Sequence, residues 1–206
     1  YRPEADRQMR KAISQYYDRL AHVPQGPLQT EVPRLLARGD TRFGLPEENV
    51  LDERTLLESR EWLTSHLSTD YIEIGLVGDL DVDTAIAAVA ETFGTLSPRK
   101  AKRAYHDRRQ VSFPAKPFTK EYQVPTEIPK AVVALYWPTD DAKDVQVDRR
   151  LRVLGNILGD RLRLKIREEL GDSYSPNAGS ITSSTYDGYG WIQASITVDP
   201  EEAKRV

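Results

Sequence analysis

Val145–Leu170 reads VQVDRRLRVLGNILGDRLRLKIREEL, and its apolar residues Val147, Leu151, Leu154, Leu158 and Leu162 recur every three or four positions with arginines opposite. That period marks one face of an α-helix, the longest in the chain, which Gly171 ends. Downstream, Pro176–Ser184 and Tyr189–Val198 read as two strands joined across Asp187-Gly188, with Ile192, Ala194, Ile196 and Val198 turned to a core. Upstream lie two more expected strands, Thr119–Val124 and Lys130–Trp137, separated by Pro125 to Pro129 as at a sheet edge. Further back, Tyr71–Val77 alternates, with Ile72, Ile74 and Leu76 on one face, and breaks at Gly78-Asp79. Asp83 is then expected to cap a helix carrying Ile86, Val89, Ala90 and Phe93 on one face, and Gly94 to end it in a left-handed C-cap. The resulting order, β-α-β-β-α-β-β, predicts an α+β fold with helices packed on one face of a largely antiparallel sheet.

Before Thr69 there is no strand pattern. Ala5–Ala21 places Met9, Ile13, Tyr16, Tyr17 and Leu20 on one helical stripe, stopped by Pro24, Gly26 and Pro27. Shorter helical stretches follow at about Gln29–Ala37 and Glu53–Leu67. Asp199-Pro200-Glu201-Glu202 has the cap, proline and acidic first turn of another helix, which Val206 cuts short. The chain therefore reads as a fragment. Residues 1–67 are expected to be the trailing helical part of a preceding domain, and 68–206 an incomplete α+β domain.

Composition narrows the chemistry. The 206 residues carry 29 Lys+Arg against 32 Asp+Glu, a net charge of −3, three histidines and no cysteine. Disulfide frameworks, cysteine nucleophiles and thiolate metal sites are excluded. No apolar run approaches the length of a membrane helix. Gly-rich phosphate loops, the G-x-S-x-G elbow and both zinc-peptidase motifs, H-E-x-x-H and H-x-x-E-H, are absent, and His22, His66 and His106 lie in different elements.

Three stretches remain. Arg99–Arg109 holds six cations with Tyr105 and His106 interleaved, a pattern open to nucleic acid; the net acidic balance favours a solvated loop and no nucleic-acid partner. Gly155 and Gly159 have the G-x-x-x-G spacing, which on a water-soluble helix predicts close packing. In Ile166–Pro176, Arg167 sits in the last helical turn and Tyr174 opens the next strand. Read plainly, the arginine complements the helix dipole and the phenol is an amphipathic ring. A sharper reading aims a guanidinium and a phenol at one spot, several donors without a strong base, which suits gripping a peptide carbonyl or carboxylate.

The chain resembles the pitrilysin/insulinase family of zinc metallopeptidases. Tyr71–Asp79 with its helix through Leu96, Gly159–Leu162 leading to Arg167–Pro176, and Tyr186-Asp187-Gly188-Tyr189-Gly190 carry the likeness; the arginine and the tyrosine seven residues on match the family's paired substrate-binding residues. The resemblance implies the mitochondrial-processing-peptidase-like metallohydrolase domain and a clam-shell of two halves around unfolded peptide. One half holds zinc through His-x-x-Glu-His and the other contributes the arginine and tyrosine. This chain has only the second kit, so the implication is a non-catalytic, C-terminal half. Arg167 and Tyr174 would bind substrate, with no catalytic residue and no metal ligand here, zinc belonging to the catalytic half of the parent enzyme. A periplasmic or secreted parent would suit the family. Two alternatives accompany it: an assembly partner of the same family that does not cleave, and a binding module using the basic loop 99–109.

Overall fold

A computed structural model describes residues 2–170 and 175–206. In chain order they form α1 (Pro3–Ala21), α2 (Gly26–Thr30), α3 (Val32–Leu36), α4 (Glu48–Asp52), α5 (Leu56–Thr69), α6 (Val82–Thr92), β1 (Ala131–Thr139), α7 (Val145–Leu170), β2 (Asn177–Thr182) and β3 (Gly190–Val198). Short 3-10 turns occupy Phe93–Thr95, His106–Arg109 and Pro200–Glu202. The fold is mixed α+β.

Local chemistry explains where the helices begin. Thr55 and Glu58 form a capping box at α5, each side chain accepting from the other's backbone N–H. Asp81 accepts from Thr84 N at 2.8 Å and caps α6, two residues earlier than the expected Asp83. Asp144 Oδ1 accepts from Gln146 N at 2.8 Å at the entrance to α7.

The sheet is antiparallel with strand order β1-β3-β2. Its register pairs Leu135 with Ala194 and Trp137 with Ile192 on one side, and Ala178 with Ala194 and Ser180 with Ile192 on the other. Directly opposed residues share a face, so one side carries Val133, Leu135 and Trp137 of β1, Ile192, Ala194, Ile196 and Val198 of β3, and Ala178 and Ser180 of β2. The four β3 residues are buried, as their alternation predicts, and Val198 is wholly enclosed. Helix α7 lies against β2 and is tied there by Asp148, which is buried and accepts from the Thr182 hydroxyl at 2.5 Å.

Several expectations are corrected. Tyr71–Val77 and Thr119–Val124 are not strands, so the β-α-β-β-α-β-β order reduces among the described residues to three strands around α7. Alternation gives a segment the side chains for a half-buried strand, but a ladder exists only where a second backbone supplies the hydrogen bonds, and Ile72, Ile74 and Leu76 stay exposed. Gly94 lies inside a 3-10 turn rather than in a left-handed cap. The stretch Gln29–Ala37 splits into α2 and α3 around Glu31, with Pro33 restarting the second helix where its missing N–H costs nothing. Helix α4 was unforeseen, and the segment after Asp199 makes one 3-10 turn.

The N-terminal helices build a small core of Leu20, Val32, Leu36 and Ala37. Outside the two cores much apolar surface is open. The accessible area is 15437 Å², against roughly 9,700 Å² expected for a compact monomer of this mass. Helix α6 exposes Val82 and Ile86, α7 exposes Val153, Leu154, Ile157 and Leu164, and β1 exposes Leu135 and Trp137.

Candidate functional site

The place of Arg167 follows from two glycines. A Cβ on Gly155 would lie 2.9 Å from the Gly179 Cα and the Ser180 N, closer than real Cβ contacts come, so α7 meets β2 backbone to backbone. One turn on, a Cβ on Gly159 would meet Ala178 at 3.5 Å, an ordinary contact. The G-x-x-x-G spacing is a packing device here, as the sequence predicts. Two turns beyond Gly159 the helix carries Arg167, exposed, in its last turn, where a cation complements the helix dipole. Tyr174, the other expected substrate-binding residue, lies outside the described residues.

Sequence reasoning passed over an aromatic knot at the β2–β3 connection. Ser183 N donates to Tyr189 O at 2.9 Å, and Gly188 turns the loop with φ +60, donating to Asp141 Oδ2 at 2.7 Å. Phe43, from the N-terminal region, packs on Tyr186 and Tyr189 with centroids 5.0 and 5.3 Å apart, and Tyr189 packs on Trp191 at 5.6 Å. Arg42 sits over the Tyr186 ring at 5.0 Å while chelating Asp40 and donating to the carbonyls of Arg108 and Gln110. The Tyr189 hydroxyl is buried with no hydrogen-bond partner among the described residues; burial, and secondarily Asp40, push its pKa up to about 12. The sequence signal was the pair of aromatics flanking Asp187-Gly188.

The basic loop is engaged in folding. Arg99 donates to the carbonyls of Asp70 and Leu67 at the end of α5, satisfying orphan acceptors. Lys100 pairs with Asp70 at 2.9 Å and Lys102 with Glu73 at 2.5 Å. His66 contacts the same Asp70 at 2.6 Å, and Lys100 and then His66 hold that carboxyl down at about 2. His22 reaches the Asp18 carbonyl at 2.7 Å. Among the described residues no three His, Asp or Glu side chains converge as metal ligands, and no helix is long and apolar enough to cross a membrane.

Residues 55–206 match the family model described as the peptidase M16 inactive domain, nearly three quarters of the chain. The chain belongs to the M16 family. This is the pitrilysin/insulinase family of the sequence resemblance, and the match is to its non-catalytic C-terminal domain. No curated protein matches the chain closely enough to add a relative. The M16 domain covers α5 to the C-terminus, so Arg167 and the knot's Tyr186, Tyr189 and Trp191 lie inside it while Arg42 and Phe43 precede it. M16 peptidases are zinc-dependent, but the donor set here does not fit a peptidase zinc. The sequence lacks both two-histidine motifs, and His66 is turned to Asp70 and His22 to a main-chain carbonyl.

Proposed function

We propose that this M16 chain is the substrate-holding, non-catalytic portion of a zinc metallopeptidase whose metal and general base belong to a catalytic half. The observation that supports the reading is the exposed position of Arg167 at the end of a helix fixed on β2 by backbone contact at Gly155. A guanidinium so anchored binds a peptide carbonyl or a terminal carboxylate as a charged, directional donor. Tyr174, seven residues on, adds a neutral O–H donor. The two bind and orient an unfolded peptide, and orientation is their contribution to rate. The helices before the family match, in residues 1–54, serve as the trailing part of the preceding domain.

The test is kinetic and belongs to the parent enzyme. Arg167→Ala and Tyr174→Phe lower kcat/KM for peptides by roughly tenfold or more, the loss of one charge-assisted or one neutral hydrogen bond, while zinc content stays unchanged. Unaltered kinetics in both variants return Arg167 to a helix-dipole partner and Tyr174 to a packing ring. A parent lacking His-x-x-Glu-His altogether points to the non-cleaving assembly partner instead.

A further inference from the structure

Arg42 is engaged by three segments of the chain. Its guanidinium chelates Asp40, with Nε 3.0 Å and Nη2 2.5 Å from the carboxylate, donates to the carbonyls of Arg108 and Gln110, and lies 5.0 Å from the centroid of the Tyr186 ring. The two carbonyls stand at the end of the 3-10 turn His106–Arg109, where main-chain acceptors lack a partner within the turn. Between them, the Arg109 carbonyl accepts from Asp187 N at 3.2 Å, on the β2–β3 connection. On its own side, the loop carrying Arg42 is fixed to α3 by Arg34, which donates to the carbonyls of Phe43 at 3.4 Å and Leu45 at 3.0 Å. A polar cleft of about 280 Å³, lined by Ala37, Asp40, Gln110, Val111 and Ser112, opens beside the seam and gives small solutes access to it.

We propose that the carbonyls of Arg108 and Gln110 and the face of Tyr186 form a guanidinium-binding site on the M16 domain, which Arg42 fills from the segment before the domain. The site selects its ion by shape. A guanidinium carries five N–H donors in one plane, so it reaches the carboxylate and both carbonyls at once while its carbon lies over the Tyr186 ring. An ammonium has three donors around a point charge and meets only part of that set. A plain ion pair between Arg42 and Asp40, two residues apart, would hold nothing beyond its own turn. The carbonyls and the ring belong to the matched domain and make Arg42 a tether across residue 55. Phe43 packs next to it on Tyr186 and Tyr189, so charged and aromatic contacts are adjacent on one segment. Filled, the site joins the loop of residues 40–45, the turn at 106–110 and the β2–β3 connection into a unit that opens together. The folding unit therefore starts before the family match does.

Hydrogen exchange at the Asp187 amide of the 206-residue chain, at neutral pH, tests the site, with the Lys100 amide at the end of α5 as an internal reference. Arg42→Ala is expected to speed exchange at Asp187 by about tenfold or more relative to Lys100, the loss of a charge-assisted hydrogen bond. Ethylguanidinium at roughly 50 mM, suited to a small ion of millimolar affinity, is expected to restore most of the protection, and ethylammonium at the same concentration to restore none. Arg42→Lys keeps the charge and is the milder change; it is expected to lose protection to nearly the same degree, and it carries the test should the alanine variant not fold. Unchanged exchange at Asp187 in either variant, equal restoration by the two cations, or no restoration by ethylguanidinium overturns the site.

Discussion

The Gly155 Cα faces the Gly179 backbone so closely that the hydrogen standing where a Cβ would be is the only substituent that fits; a carbon there lies 2.9 Å from the Gly179 Cα. A Cβ on Gly159, one turn along the same stripe, would lie 3.5 Å from the nearest atom of Ala178. The two glycines of one motif are therefore unequal.

Gly155→Ala is expected to destabilise the chain by about 1–3 kcal/mol, because the atoms in the way are main chain and cannot swing aside. Gly159→Ala is expected to be neutral or stabilising by up to about 1 kcal/mol, since alanine is the better helix former and the contact is ordinary. Urea unfolding of the two variants measures the difference. Equal losses would place the close approach elsewhere along α7.

Tyr189 gives a prediction in the alkaline range. Its folded pKa is raised to about 12 from the ordinary 10, so the fold favours the neutral phenol. That contribution is fully present below pH 10 and is lost as pH rises through 12. Burial raises Tyr17, Tyr122 and Tyr136 as well, so spectrophotometric titration should show a late-ionising group among the ten tyrosines, and Tyr189→Phe should remove one tyrosine from it. The same variant deletes a buried hydroxyl without a partner among the described residues and should leave Tm unchanged or slightly higher. A clear fall in Tm would show that the hydroxyl has a bonded role.

Asp70 and Asp40 set the acid limit. Lys100 and His66 hold the first at about 2, and Arg42 holds the second at about 2. A lowered carboxylate stabilises above its unfolded value near 3.8 and loses that contribution as pH falls toward 2. Between pH 4 and 2 the link between the end of α5 and Arg99–Lys102, and the Asp40–Arg42 clasp on the aromatic knot, should loosen together. Hydrogen exchange at the Lys100 amide, which donates to the Thr69 carbonyl at 2.9 Å, reports the first event. Asp70→Asn should flatten its pH dependence.

Metal titration addresses the proposed non-catalytic role. The 206-residue chain is expected to take up no tight stoichiometric zinc, since its histidines lie in separate elements and two already have other contacts. One tightly bound zinc per chain would overturn the assignment to the non-catalytic side.

Much of this was written locally. The apolar period of Val145–Leu170 predicts α7 to the residue range observed, because a helix satisfies its own backbone and needs only one face covered. The alternation of Tyr189–Val198 likewise predicts β3, the central strand, whose every second residue is buried. Asp187-Gly188 marks the turn, since Gly188 takes a positive φ. The spacing of Gly155 and Gly159 announced close packing without naming β2 as the neighbour.

Other features required the third dimension. Tyr71–Val77 has the side chains of a strand, yet a strand is a relation between two backbones, and its composition does not contain its partner. The basic loop shows the same limit for charge: six cations within eleven residues read as a solvated loop, and only tertiary contact reveals that Arg99, Lys100 and Lys102 are directed to the end of α5 and to Glu73. The knot joining Phe43 and Arg42 to Tyr186 and Tyr189 spans more than 140 residues, beyond any periodicity. By itself the sequence determined the elements whose hydrogen bonds close within a few residues, together with the family they spell. Tertiary structure decided which faces meet, because burial and pairing energies belong to contacts between segments that local pattern leaves unspecified.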